Sequence, residues 1–297
     1  MKKPTLMLLA SLCATLPLAA QQNAASFFGN TTSHDLSLSL NGGAGKIIID
    51  DRGDKATDLG INCGLTLGYT YMFDEVSGLH TGVVFTYLRS GYSAETVNTS
   101  YTEQGITLRD NGTTYSGTAR VTTVTHRIDE VYTSAILSLP VQYAFRYNGF
   151  WADLGLRLSL PLSISSSYTY GPSTAEIVYF DLPDVSYEAT PIPYHALDAD
   201  NHTGTYKAKN TSVFVDVDIE GGYRWLLDPA KNMSLYVGAY FTYALNSFGG
   251  EEESFLSFDA DGNASFAGLL NSAFVRAYSQ MTFGITASLH LGIGAKR

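Results

Sequence analysis

Three acidic residues recur at every second position in the stretch Asp216-Val217-Asp218-Ile219-Glu220. Alternate side chains of an extended chain point to the same side, so this spacing gathers three carboxylates on one face. Such a row could attract cations, or arginines could neutralise it, because buried carboxylates are costly unless they are paired. Further charged residues fall on faces of the same kind and complete a predicted charge network: Glu130, Asp153, Arg157 and Arg224.

Ser288 and His290 are spaced as a nucleophile and a base could be, since they share one face of a strand-like run. A serine nucleophile needs a base within hydrogen-bond reach and an acid that orients this base. The sequence fixes no acid beside this pair. A lipid-modifying enzyme is therefore an alternative hypothesis, and the main prediction is a chain without catalytic residues, a metal site or a cofactor.

The elements that must position these residues are predicted from the alternation of apolar and polar side chains. The clearest run extends from Leu154 to Ile164, where one face is wholly aliphatic and the other carries Arg157, small residues and a proline. A period of two is typical of strands and does not suit a helix. Eight such runs occur, at positions 36–40, 59–73, 79–87, 131–145, 154–164, 213–219, 233–245 and 281–293.

The connections between these runs alternate between short and long. The short connections are 74–78, 147–149 and 226–232, and the long ones are 45–58, 93–126, 165–210 and 248–279. An even number of long strands with this asymmetry is typical of bacterial outer-membrane proteins. The sequence therefore predicts an all-β fold: an eight-stranded antiparallel up-and-down transmembrane β-barrel with short periplasmic turns and long extracellular loops.

Aromatic residues are concentrated near the predicted strand ends. Amphipathic rings favour the headgroup level of a bilayer, so a band of them predicts a girdle at the membrane interface. The residues assigned to the girdle at the short-turn end are Tyr71, Phe73, Tyr143, Phe145, Trp151, Tyr223 and Trp225.

Composition and charge exclude one class of function. Only 15% of the 297 residues are charged, and the formal net charge is −10. A nucleic-acid-binding protein needs a concentrated basic face to displace counterions from phosphate, so we expect no nucleic-acid partner.

The N-terminus carries the features of an export signal. A short basic start precedes an apolar run from Thr5 to Leu18, and small residues precede Gln21. This pattern predicts a signal peptide over 1–20, a short periplasmic segment over 21–33 and the barrel over 34–294. Removal of the signal peptide leaves Cys63 as the one cysteine, which excludes an intramolecular disulfide.

Two prolines fall inside predicted strands, at Pro140 and Pro161. A proline cannot donate a hydrogen bond to the strand ladder. We therefore expect a bulge or an irregular strand end near each of them.

The pattern of strands and connections over residues 34–294 resembles the small outer-membrane β-barrel family of Gram-negative bacteria, the OmpA-barrel and OmpX-like group with its Bacteroidetes relatives. The resemblance is carried by topology, without a sequence fingerprint. Members often end in an aromatic residue that the assembly machinery recognises, whereas this chain ends Gly294-Ala295-Lys296-Arg297. The resemblance implies a location in the bacterial outer membrane, with outer-membrane lipid or lipopolysaccharide and the barrel assembly machinery as partners.

The functional expectation is an envelope-structural or surface-interaction role. Loops 93–126 and 165–210 are long enough to contact an extracellular ligand, or they could form hairpins that pack on themselves. A narrow, cation-preferring passive channel lined by Asp216, Asp218 and Glu220 is the alternative that the acidic row suggests.

Overall fold

The computed structural model describes residues 32–51, 57–110, 113–179, 186–189, 201–209, 211–228, 232–249, 255–258, 264–272 and 274–295. The predicted signal peptide and nearly all of the segment 21–33 lie outside these residues. Within the part of the chain that the structure describes, no helix is long and apolar enough to cross a membrane.

The described chain is almost entirely β-strand. The strands are β1 (Thr32–Asp51), β2 (Thr57–Met72), β3 (Ser77–Asp110), β4 (Thr113–Tyr147), β5 (Phe150–Tyr170), β6 (Ser173–Tyr179), β7 (Ser186–Ala189), β8 (His202–Lys207), β9 (Phe214–Leu226), β10 (Met233–Ala244), β11 (Leu256–Phe258), β12 (Ala264–Phe266) and β13 (Val275–Ala295). Eight of them pair antiparallel in the order β1-β2-β3-β4-β5-β9-β10-β13, and β13 pairs back onto β1. The predicted eight-stranded antiparallel sheet is confirmed, and it closes into a ring.

Alternation assigns each side chain to the inside or the outside of this ring. On β5 the outward leucines from Leu154 to Leu162 are exposed, whereas the inward Asp153, Arg157 and Ser159 are buried. An interior bounded by eight strands is just wide enough for its own side chains to fill. The ring is therefore polar inside and apolar outside along its middle, the reverse of a water-soluble core.

The turn between β4 and β5 has the backbone geometry that its sequence predicts. Asn148 and Gly149 have φ angles of 47° and 80°. Positive φ at both central residues is the mark of a type I′ hairpin turn, which suits Asn-Gly. This two-residue turn fixes the register of the whole β4–β5 ladder, including the facing pair Arg146 and Trp151.

The two prolines act differently. At Pro161 the register between β4 and β5 shifts, since Ile136 faces Pro161 while the preceding Ala135 faces Ser163. This is the predicted bulge. At Pro140 the ladder with β3 is interrupted between the pairs Thr81–Val141 and Val84–Ser138, but the register continues unchanged. Pro140 therefore removes hydrogen bonds without inserting a residue.

The connections at the two ends of the ring differ in length, as predicted. At one end the connections 73–76, 148–149 and 227–232 are short; we call it the short-turn end. At the other, the long-loop end, β3 and β4 continue as a paired hairpin as far as Asp110 and Thr113. Strand β6 pairs with β4 and β7 with β6, so predicted loops 93–126 and 165–210 jointly form a sheet. In the described parts of these segments, 93–126 forms a hairpin and β6 of 165–210 pairs with it.

Candidate functional site

The centre of the ring holds an arginine between two acids. The Arg157 Nη2 atom lies 2.5 Å from Asp218 Oδ2 and 3.3 Å from Glu220 Oε1, and its Nε donates to Asp218 Oδ2 at 2.7 Å. Thr242 donates a further hydrogen bond to Asp218 Oδ1. In the β5–β9 ladder Arg157 faces Asp216. This register places the Arg157 side chain beside the acidic row of β9, within reach of Asp218 and Glu220. Arg157, one of the two arginines expected to bridge the acidic set, thus contacts two of the three acids of the row, whereas the other, Arg224, lies nearer the short-turn end.

A second buried ion pair lies nearer the short-turn end. The guanidinium of Arg146 donates to Asp153 through Nη1 at 2.5 Å and through Nη2 at 3.1 Å. Trp151 and Tyr236 flank it, with the Arg146 guanidinium carbon 5.7 Å and 5.1 Å from their ring centroids. Both charged residues are buried, so the pair is shielded from water. Sequence reasoning missed Arg146, although its even number places it on the inward face of β4.

Three of the predicted site residues lie elsewhere than expected. Arg224 is buried with its guanidinium carbon 5.9 Å from the Tyr236 ring centroid, so it belongs to the group at the short-turn end. Trp151 was expected in the outward girdle but lies inside the ring, because it follows the outward Phe150 by one position. Glu130 is inward and buried, but it lies near the long-loop end, far along the strand from the other acids.

The inward serine and histidine do not form a nucleophile and base. Ser288 accepts a hydrogen bond from Ser39 at 2.8 Å, and His290 stacks on Tyr236 with ring centroids 3.8 Å apart. Both residues are buried within the ring. A reacting serine must be reached by substrate and activated by its base, and this arrangement supplies neither.

Two small cavities border the charged residues inside the described part of the ring. One cavity of about 10 Å³ is bordered by His80, Gln142, Trp151, Arg157 and His290. A second of about 10 Å³ is bordered by Thr86, Ser138, Ser159 and Asp216, and again by Arg157. Each has room for about one water molecule. Arg157 borders both cavities and, with its two acids, stands between them.

The outside of the ring carries a continuous apolar belt. Exposed leucines, isoleucines, valines and aromatic residues cover the outward faces of the eight ring strands, among them Leu36, Leu38 and Leu40 on β1, Leu65 and Leu67 on β2, Leu137, Leu139 and Val141 on β4, and Leu289 and Leu291 on β13. We call these outward residues the belt. Such an area of exposed apolar surface requires an apolar environment.

Six predicted girdle residues lie at the short-turn end of the belt and face outward. Tyr71 packs edge-on against Phe73 with centroids 5.6 Å apart, and Tyr223 packs in the same way against Trp225 at 5.0 Å. Tyr143 and Phe145 are exposed beside them. These rings form the edge of the belt, and their polar groups can reach its rim, as when the Tyr143 hydroxyl donates to Ser77 Oγ.

The long-loop end is closed by a segment that the sequence did not reveal. Phe255, Leu256, Leu269 and Leu270 come from the last long connection and are buried. We call the described residues 255–258 and 264–272 the cap. They pack on inward side chains of the ring in one apolar cluster, which includes Leu88, Tyr92, Ile128, Tyr132, Ile164, Tyr170, Phe214 and Tyr278.

Glu130 ties the cap to the ring. Its carboxylate accepts hydrogen bonds from the hydroxyls of Tyr170 and Tyr206, the second at 2.5 Å, and from the backbone N–H of Leu269 in the cap at 3.2 Å. Glu130 lies seven positions beyond Leu137, outside the belt. Burial raises the pKa of the Glu130 carboxyl, and the hydrogen bonds from Tyr170 and Tyr206 only partly oppose this effect.

The described interior has no cluster of histidine, cysteine and acidic side chains of the kind that binds zinc or another divalent metal ion. Among the residues that the structure describes, no group of three or more His, Cys, Asp or Glu side chains is placed to hold a metal ion. The two inward histidines are engaged otherwise: the His80 Nδ1 atom lies 2.7 Å from the Thr70 hydroxyl, and His290 stacks on an aromatic ring.

Comparison with known proteins gives only distant likenesses. No family model and no curated protein matches the chain. Neisserial surface protein A (NspA) is 11% identical with a TM-score of 0.30, over 88% of this chain and 98% of that one. Ail of Yersinia pestis, solved with the heparin analogue sucrose octasulfate, is 12% identical with a TM-score of 0.29, over 87% and 99%. A mutant of TodX, a monoaromatic hydrocarbon channel, is 9% identical with a TM-score of 0.24, over 93% and 94%. Likeness at this level is no evidence of a shared activity.

Proposed function

We propose that this chain is an outer-membrane β-barrel protein that anchors a projecting β-sheet at the cell surface, with a surface-interaction or envelope-structural role. One observation carries the proposal: the closed ring is apolar outside and polar inside, with buried ion pairs in its interior. A closed ring leaves no unpaired strand edge in the lipid, which is the condition that a strand-built membrane protein must satisfy.

The dimensions of the belt agree with a bilayer. On β5 the outward side chains are apolar from Phe150 to Leu162. At about 3.3 Å per residue this run is about 40 Å long, or about 28 Å along the membrane normal for a strand tilted by about 45°. Outer-membrane barrels have an apolar band about 25 Å tall, with aromatic residues at its edges.

The unequal ends support an orientation. Outer-membrane barrels have short turns on the periplasmic side and long connections outside the cell. We therefore propose that the short-turn end faces the periplasm and that the hairpin of β3 and β4, extended by β6 and β7, projects from the cell. Lipopolysaccharide would surround the belt, the barrel assembly machinery would insert the chain, and an extracellular ligand would meet the projecting sheet.

The packing of the interior disfavours the alternative of a cation-preferring channel. An ion would have to pass the Arg157 bridge to Asp218 and Glu220, and then the apolar cluster beneath the cap. It also disfavours the lipid-modifying enzyme, because Ser288 and His290 are buried inside the ring rather than exposed to lipid. A barrel that only anchors the projecting sheet needs neither an ion path nor a catalytic group.

Cys63 allows a direct test of membrane placement. It is exposed on the outward face of β2, between Ile61 and Leu65 of the belt. In protein refolded into phospholipid vesicles, we expect a membrane-impermeant maleimide not to react with Cys63. In a second sample, Cys63 is labelled with bimane before refolding, and we expect brominated lipid to quench the bimane fluorescence. The control is Cys63→Ser combined with Asp50→Cys, which places the thiol on an exposed site outside the belt. Rapid aqueous labelling of Cys63 in folded protein, at the rate of the control, would refute the proposal.

A further inference from the structure

The carboxylate of Asp216 is only half satisfied. Its Oδ2 atom accepts a hydrogen bond from the Ser159 hydroxyl and the Gln280 amide lies near the carboxylate, whereas no hydrogen bond of ordinary geometry reaches Oδ1 among the described residues. The residue has 0% exposure and borders the second interior cavity. A buried carboxylate oxygen without a partner is costly, and a native structure normally satisfies it with a bound group.

The cavity beside Asp216 is lined largely by oxygen donors. Its border includes five hydroxyl side chains, one amide and one carboxylate: Thr86, Ser138, Ser159, Thr242, Thr282, Gln280 and Asp216. Its volume is about 10 Å³, enough for one water-sized species. Hydroxyl, amide and carboxylate oxygens are the ligands that hard cations prefer, whereas soft metals prefer thiolate and imidazole.

The charges around the cavity leave a negative excess. Arg157 is the cation on its border, but its contacts at 2.5 to 3.3 Å are made to Asp218 and Glu220. When they are ionised, the three carboxylates of β9 thus share the guanidinium of Arg157, since the nearby Arg146 is paired with Asp153. Because isolated buried charge is unfavourable, the site favours a further positive charge next to Asp216.

We propose that the cavity bordered by Asp216 binds one dehydrated monovalent cation. A single bordering carboxylate among neutral oxygens suits an ion of charge +1. The ion is enclosed when the strands close around it and stays bound inside the ring. Such a site requires the ring but neither the membrane nor a surface partner.

The direct test is to refold the protein in thallous acetate, crystallise it in detergent and measure anomalous scattering. We expect one thallium peak within the Asp216 cavity of the wild type and of Asp50→Asn, the same substitution at an exposed site. The peak should be absent from Asp216→Asn. A wild-type cavity that holds only water, or a protonated Asp216 with no anomalous peak, would overturn the proposal.

A second measurement covers the case in which Asp216→Asn does not fold. The thermal unfolding midpoint of wild type is measured in NaCl and in N-methyl-D-glucamine chloride at equal ionic strength. Na⁺ at about five times its Kd should raise the midpoint by about 2–4 °C. Thr282→Val, which removes one hydroxyl from the cavity border, should reduce this shift, whereas Asp50→Asn should retain it. Equal midpoints in the two salts for wild type would contradict the site.

Discussion

The buried ion pair of Arg146 and Asp153 provides the sharpest energetic prediction. Side-chain exposure is 1% for Arg146 and 5% for Asp153, and two hydrogen bonds join them. Asp153→Asn leaves a buried guanidinium without its counter-charge. Removing one partner of such a pair costs about 3–5 kcal/mol. We expect a loss of this size in the free energy of unfolding, measured by urea titration of protein folded into lipid vesicles.

An exposed pair of the same chemistry supplies the control. Arg127 and Asp129 lie 3.0 Å apart with 70% and 37% of their side chains exposed. Asp129→Asn should cost about 0–1 kcal/mol, because solvent screens such pairs. The double variant Arg146→Met with Asp153→Leu should recover most of the loss, since it removes both charges. A cost for Asp153→Asn no greater than that for Asp129→Asn would refute the view of a dry, charge-matched interior.

Three further predictions concern the long-loop end. Folding raises the pKa of the Glu130 carboxyl, so this group stabilises the folded protein at low pH and the stabilisation is lost as pH rises. The free energy of unfolding of wild type should therefore fall relative to that of Glu130→Gln from about pH 4.5 upwards. Urea unfolding at a series of pH values measures this difference. A difference between the two proteins that is constant with pH would contradict burial of Glu130. Leu270→Ala should cost about 2–5 kcal/mol in the same assay, because Leu270 is a buried residue of the cap; a cost below about 1 kcal/mol would show that the cap is not packed. An epitope inserted between Asp110 and Thr113 should bind antibody on intact cells, whereas one inserted at Asp74 should bind only after permeabilisation, and the reverse pattern would invert the proposed orientation.

The fold followed from the sequence because alternation fixes the face of each side chain. Leu154 to Leu162 on β5 had to lie on one side, and the short turns at 74–78 and 147–149 had to join neighbouring strands. The alternation within β4 and within β5 could also have placed Arg146 and Trp151 inside the ring. Both were misjudged because they lie at strand ends, where the aromatic girdle competes as an explanation.

Alternation does not give the height of a residue along the ring, and this explains the remaining misses. Glu130 has the inward parity of the central acids, but it lies near the long-loop end beside Tyr170 and Tyr206. The cap residues Phe255 and Leu269 belong to a segment without periodicity, so no pattern predicts where they pack. Their position depends on contacts made only after the strands have closed.

A planar-bilayer recording of the refolded, full-length protein tests the central claim of a sealed membrane barrel most directly. Folding is verified beforehand by the mobility shift of the unboiled protein, and a porin of known conductance confirms that the bilayer reports open channels. We expect insertion without steady ion conductance, because the Arg157 bridge and the apolar cluster beneath the cap lie across the path. Steady cation-selective openings, lost in Asp216→Asn, would contradict it and establish the channel.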